Sequence, residues 1–194
     1  MSTTAEEKGT ATKGVTTWTI DPQHSQVAFE VKHMMFAKVR GRFEEVEGTL
    51  EIAPKDDIES SRVDVVIDAA SISTGQGDRD DHLRSPDFFD VEQFPELRFE
   101  SSSVERTGEN ELSVVGELTI RDVTREVALE VTELGSGTDP WGNERVGYSA
   151  TAEIDRRDFG LTWNQALEAG GVLVGNDIRI TLEIQAVEQS EDSA

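Results

Sequence analysis

The sequence predicts an all-β domain closed into an antiparallel barrel of about eight strands, with short helices in the long loops. Three observations predict it. The stretch from Trp18 to His33, WTIDPQHSQVAFEVKH, puts Val27, Phe29, Val31 and His33 on one side and Gln26, Ala28, Glu30 and Lys32 on the other. That period of two is the mark of a half-buried strand. Strands of this kind recur through most of the chain, joined mainly by short loops, as up-and-down neighbours require. Sustained helical periodicity is missing except in short pieces near 78–84 and 164–169, and no repeat of 20–50 residues is visible.

The elements follow in order. The first strand covers roughly 17–33 and the second runs from Lys38 to Ile52. The inward set of the second is Val39, Gly41 and Phe43, then Val46, Gly48, Leu50 and Ile52; the change of parity at Glu44–Glu45 predicts a β-bulge and a bend of the wall. The third carries Val63, Val65 and Ile67, and the fourth Leu97 and Phe99 between Glu96, Arg98 and Glu100. The fifth points Leu112, Val114, Gly116, Leu118 and Ile120 inward, and the sixth Val127, Leu129 and Val131. The seventh has Val146, Tyr148, Ala150, Ala152 and Ile154; the last has Ile178, Ile180, Leu182, Ile184 and Ala186 against Arg179, Thr181 and Glu183. The domain is thus expected over 17–188, between polar tails at 1–16 and 189–194 expected to be mobile.

Composition narrows the function classes. A chain of 194 residues fits one domain, and 36% hydrophobic residues suffice for a core. Eighteen Lys and Arg against 40 Asp and Glu give a net charge of -22, which repels phosphate backbones and anionic membranes and argues against nucleic-acid binding. With no cysteine there is no disulfide, thiolate metal site or cysteine nucleophile. No run approaches the ~20 apolar residues of a membrane span, and the start, MSTTAEEKGTATKG, lacks the apolar core of a secretory signal, so the cytoplasm is the expected location.

Two connections exceed what a hairpin needs, 69–95 and 155–176. The first holds DRDDHLRSPDFFDVEQFPEL, with Phe88, Phe89 and Phe94 in seven residues and Pro86 and Pro95 stiffening its ends. It reads either as a lid packing its phenylalanines beneath itself or as an apolar gate over a cavity.

Six motifs in order over Trp18 to Val187 then mark a resemblance. They are the WTIDPQHSQVAFEVKH opening, VRGRFEEVEGTL, the loop STGQGDRDDHLRSPDFFDVEQFPELRFES, GELTIRDVTREV, IDRRDFGLTW and VGNDIRITLEIQAV. Together they resemble the YceI-like family of lipid-binding barrel proteins. The resemblance implies a lipocalin-like barrel with a long hydrophobic cavity, a polyisoprenoid, isoprenoid quinone or other long-chain amphiphile as ligand, no established catalysis, and a possible homodimer. Many family members are periplasmic and carry a signal sequence; the start of this chain does not resemble one. Asp122 stands where glycine is usual after LTIR, and Glu126 where proline is frequent. Asp tolerates left-handed turns, so the turn is expected to survive.

The interior of such a barrel holds side chains or one slender ligand. Gly41, Gly48, Gly116, Ala150 and Ala152 are small and are expected to leave room. The candidate lining is Val27, Phe29, Val31, Phe43, Phe99, Tyr148 and Ala150, with Leu83, Phe88, Phe89 and Phe94 from the long loop. Met35 and Phe36, beside Met34, form a mouth, an end plug or a hairpin tip packed on a neighbour; Trp163, near Phe159 and Leu161, is expected to cap the other end. Burial at about 0.8 kcal/mol per methylene lets a tail of ~20 carbons approach the practical affinity ceiling.

For the head group the candidates are His33, Arg79, Asp80, His82 and Arg84. An arginine fork suits phosphate and a histidine can donate to a quinone, although Arg79–Asp80 also reads as an ion pair internal to the loop. No metal and no cofactor is expected. His24 and His33 stand nine residues apart on opposite faces, roughly 30 Å along a straight strand. A triad of Asp21, His24 and Ser25 is equally unfavourable, since adjacent strand side chains diverge; His24 and Ser25 are expected to bond the backbone. The alternatives to a carrier are an enzyme acting on the same lipid and a scaffold with a filled core.

Overall fold

The computed structural model describes residues 14–189. Eleven strand segments form its wall: β1 (Thr16–Ile20), β2 (Gln26–His33), β3 (Ala37–Phe43), β4 (Val46–Ile52), β5 (Arg62–Asp68), β6 (Ile72–Ser73), β7 (Glu96–Arg106), β8 (Glu111–Ile120), β9 (Val123–Thr138), β10 (Glu144–Asp155) and β11 (Val174–Glu188). Every pairing is antiparallel. The order β1-β4-β5-β7-β8-β9-β10-β11 closes on itself because β1 also pairs β11, Trp18 opposite Glu188 and Ile20 opposite Ala186. Lower on β11, β2 takes over as neighbour and carries β3. β1 with β2, and β3 with β4, are therefore halves of two bent staves. The barrel has eight staves, with β6 as a short addition to β3.

Both bends go further than expected: the first falls within what reads as one unbroken strand, and the second, expected as a bulge, is a full break. The first stave breaks at 21–25. There Ser25 Oγ substitutes for the ladder, donating to Gln185 O at 3.1 Å and accepting from Gln185 N at 3.0 Å. His24 bonds the Asp21 carboxylate, not the backbone, at 2.8 Å. In the second stave Glu44–Glu45 form a complete break where a bulge was expected. Both amides donate to Ser71 Oγ at 3.1 Å, so β3 stays with β2 while β4 pairs β1 and β5. Two unpaired residues switch the parity and also change the partner, which one extra residue in a continuous ladder does not do.

The apolar side of each stave lines the barrel in one cluster that includes Ile20, Phe43, Val46, Leu97, Phe99 and Val114. The inward glycines make space that aromatic rings then take. A Cβ on Gly41 would lie 2.9 Å from Phe29 Cε1, and one on Gly116 would lie 2.6 Å from Phe99 Cζ. They are close-approach positions, not the vacant ones their size suggests.

The long connections depart from one barrel end, where β2, β8 and β10 finish. The first contains the expected helix, α1 (Gly77–Arg84), with Gln76 Oε1 accepting from Arg79 N at its start. The expected helical piece at 164–169 does not form. That stretch stays irregular, makes a single bridge between Ala166 and Val172, and turns over 168–171, where Gly170 and Gly171 both have φ near 90°. Asn164 fixes it through Val174 N and O instead. A run this short cannot repay helix nucleation. The β8–β9 turn survives, but its left-handed residue is Arg121 (φ 58°), not Asp122. A short 3₁₀ segment, Lys55–Ser60, packs Ile58 at the far end. Of the tails expected at 1–16 and 189–194, residues 1–13 and 190–194 lie outside the described residues, while Thr16 already begins β1.

The corner at Asp21 is tied over β11 to β10. Arg145 donates to Asp21 at 2.7 Å and to Asp139 at 2.8 Å. Partial burial alone would raise the Asp21 carboxyl, but hydrogen bonds from Arg145, His24 and the Gln23 amide outweigh it and hold it at about 2. A carboxyl depressed by folding adds stability above its ordinary value of ~3.9 and loses that contribution as pH falls through the folded value. Arg145→Met is therefore expected to lower Tm at pH 7, with a gap that narrows as pH falls toward 2 but does not close there, because Arg145 holds the Asp139 carboxyl lower still. Thermal melts of both across pH 2–7 check this, and a constant gap would rule out the linkage.

Candidate functional site

The staves enclose one continuous cavity of about 260 Å³ running most of the barrel's length. At the far end its wall includes Ile58, Ser61 and Val63; at the middle Phe29, Phe99 and Tyr148; at the capped end Leu83, Phe88 and Val174. The size lies just below the ~300–1,000 Å³ of ordinary ligand pockets, which favours one slender chain over a ring system. Water needs several polar partners in such a space. Here the polar wall residues are only Glu51, Ser61, Arg62, Tyr148 and Arg156. Burial pushes the Tyr148 hydroxyl up to about 12, with the Glu133 charge adding to the effect, so it remains a neutral phenol near pH 7.

Of the expected lining, Val27, Phe29, Val31, Phe43, Leu83, Phe88, Phe89, Phe99, Tyr148 and Ala150 are in the wall. Met35, Phe36, Phe94 and Trp163 are not. Met34 and Met35 occupy the β2–β3 turn with φ of 52° and 70°, and Phe36 beside them is 82% exposed. That apex leans outward on the second connection, Met34 N donating to Leu173 O at 2.8 Å and Met35 resting over Gly171. Phe94 lies beneath Arg121, whose guanidinium carbon is 5.6 Å from the ring centre. Trp163 stacks edge-on against His82 at 4.6 Å and tilts against Phe88 at 5.4 Å. It caps the same end as the long loop, contrary to expectation, because β10 finishes beside that loop.

Of the three loop phenylalanines, two pack beneath the loop on the cavity, and Phe94 does not. Phe88 is buried against His82, Phe89 meets Phe43 edge-on at 5.7 Å, and both face the cavity.

The five expected head-group residues lie outside the cavity wall, and four of them have clear duties in folding the cap. Asp80, 7% exposed, accepts from Thr74 N at 2.8 Å and from Thr74 Oγ1. Arg79 does not pair with Asp80 but donates to Thr74 Oγ1 and O. Arg84 donates to Ala70 O and Ile72 O, each at 2.8 Å, and His82 Nε2 meets Asp87 at 2.8 Å. His33 ends β2 opposite Val174. A loop without a ladder leaves carbonyls and amides to be satisfied, and these side chains satisfy them.

Among the wall residues that sequence reasoning missed is Arg156, which is 3% exposed. It donates to Leu161 O at 2.7 Å, Gly175 O at 2.8 Å, Trp163 O at 2.9 Å and, weakly, Val174 O at 3.4 Å. Its signal was its register: 156 continues the inward series Val146, Tyr148, Ala150, Ala152, Ile154 past the end of β10.

The fold is a closed eight-stranded antiparallel barrel around an apolar tube. Residues 18–186 match the YceI-like domain, and the chain belongs to that family. A UPF0312 protein from Staphylococcus aureus is 36% identical over 166 residues, covering 85% of this chain and 94% of its own. Protein YceI of Salmonella newport is 38% identical over 140 residues, 72% of each. Among solved structures, Burkholderia cenocepacia BcnA shares the fold at a TM-score of 0.75 and 22% identity, over 86% of this chain and 98% of its own. A polyisoprenoid binding domain from Saccharophagus degradans, implicated in plant cell wall breakdown, superposes at 0.64 with 15% identity, over 89% and 98%.

Asp80→Ala strips the Thr74 amide of its buried acceptor. The expected result is a loss of about 1–3 kcal/mol in denaturant unfolding and faster proteolysis within 74–95. An unchanged midpoint with unchanged cleavage would show that the cap does not depend on this carboxylate.

Proposed function

We propose that this protein carries or sequesters one long-chain isoprenoid, or a related single-chain amphiphile, in the barrel interior without altering it chemically. The observation that carries the proposal is the continuous, nearly unpolar cavity through the barrel. Such a space is filled favourably only by hydrocarbon, and each buried methylene contributes about 0.8 kcal/mol. The description of a like-folded domain as polyisoprenoid-binding supports the choice of chain. No cofactor or metal has a part in this function, and the acidic surface leaves nucleic acid out of it.

The first test is native mass spectrometry of freshly purified protein, with organic extraction and addition of a C20 isoprenoid to any empty fraction. An intact isoprenoid, co-purified or bound on addition, is the expected result. A chemically converted chain would make the protein an enzyme acting on the lipid. Failure to retain any chain would leave a barrel with a structural role.

Ala150 is buried in the tube wall, so Ala150→Trp places an indole where the chain runs. The variant is expected to keep the β circular dichroism spectrum and lose chain binding at least about tenfold, the effect of overfilling a packed space. Unchanged affinity in a folded variant would put the ligand elsewhere.

A further inference from the structure

Three charged residues reach the cavity wall, and they are not equivalent. Glu51 and Arg62 are exposed, face each other across β4 and β5, and stand at the far rim. Water screens them, so they discriminate weakly between ligand ends. Arg156 is buried beneath the cap, at the opposite end. Among the described residues no carboxylate lies within ion-pair distance of it. Neighbouring Asp155 has both oxygens engaged by Arg157, at 3.0 and 3.1 Å from Nε. Asp158 and Asp177 are on the exposed surface.

A buried guanidinium without a counter-charge is costly, and the four carbonyls offset that cost only as dipoles. They also leave its donors incompletely used. Nε and both Nη1 protons are held at 2.7–2.9 Å. Nη2 has one long contact, 3.4 Å to Val174 O, for its two protons. The charge and the spare donor therefore belong to a group that contributes to the wall of an otherwise apolar tube.

We propose that Arg156 reads the ligand's head: the tube takes a single chain whose terminal group carries an electron-rich oxygen, carboxylate or carbonyl, at the capped end, with the tail running toward the Glu51–Arg62 rim. The inference rests on the carrier function and adds to it the polarity and direction of the ligand. A charge-assisted hydrogen bond in a dry site is the interaction that would set this preference.

The test is a competition on the intact protein among four C20 isoprenoids of one skeleton: geranylgeranoic acid, the aldehyde, the alcohol and the hydrocarbon. Bound fractions are read by native mass spectrometry. The acid and aldehyde are expected to exceed the hydrocarbon by about tenfold or more, as one charge-assisted bond allows, with a preference that persists in 1 M salt. Equal binding of acid and hydrocarbon would overturn the head assignment and leave the carrier function standing. Binding of none of the four would overturn both.

Arg156→Lys keeps the charge but cannot span four carbonyls. It is expected to collapse the acid-to-hydrocarbon ratio. An equal loss for every ligand would mean that Arg156 only holds the loop, and would overturn the proposal. If the variant does not fold, ¹⁵N-labelled guanidinium spectra of the parent decide. The Arg156 resonances are expected to move with the acid and not with the hydrocarbon, and identical shifts with both would count against the assignment.

Discussion

β11 is the stave on which the barrel closes, and the cavity depends on how it divides its pairing. Its first part pairs β2, from Val174 opposite His33 to Glu183 opposite Gln26, and its last residues pair β1. The corner between those neighbours is held by Ser25 on Gln185 and by Asp21 on Arg145. Closure through β1 and β11 removes most of the sheet's edges, leaving the outer side of β3 paired only at Arg42 and Phe43, by β6; along the closed part the ladders satisfy the backbone, so the interior there needs no polar groups to serve it. An apolar cavity follows from that satisfaction.

The alternation of inward and outward residues was legible, and with it the eight staves and most of the wall. Periodicity reports only which face is buried, and each misjudged feature turns on something else. Trp18 and Ile20 have even parity and Val27 and Phe29 odd, so the first corner is written in the sequence as plainly as the second. It was masked because DPQHS reads equally well as a strand's polar interlude. Gly41 and Gly116 looked like vacancies because size was considered without the neighbouring rings. The charged run from Arg79 to Arg84 suggested ligand chemistry, whereas a loop outside any ladder must find partners for Thr74 N, Ala70 O and Ile72 O. Nothing in periodicity announces that demand. Arg156 was hidden for the opposite reason: it obeys the periodicity, and a charge at an inward position reads as the strand's end.

The surface charge and the dry interior are two sides of the same alternation. Outward positions carry the acids and their pairings, such as Glu30 with Lys38 and Arg40 on the β2–β3 face. Exposed pairs of this kind contribute little stability each. Their larger effect is on the field around the protein: the exterior is strongly negative while the buried wall contains one cation. An acidic exterior and a cationic interior therefore do not conflict, because the barrel wall separates them and the low dielectric inside makes the single buried charge count for more than many exposed ones.

The cap ties both long connections to that charge. Trp163 lies between His82 and Phe88 of one loop, and its own carbonyl accepts from Arg156 beneath the other. Moving either loop away from the barrel end disturbs the aromatic stack, and moving the second also strips carbonyls from a buried guanidinium, which raises the cost of its charge. A chain passing by the Glu51–Arg62 rim meets neither obstacle, only two exposed side chains and the short segment carrying Ile58. The two ends of the tube thus differ in packing as well as polarity. The more closely packed end is the one with the buried donor, and a donor held by neighbouring carbonyls in a dry pocket discriminates between head groups better than one free in water.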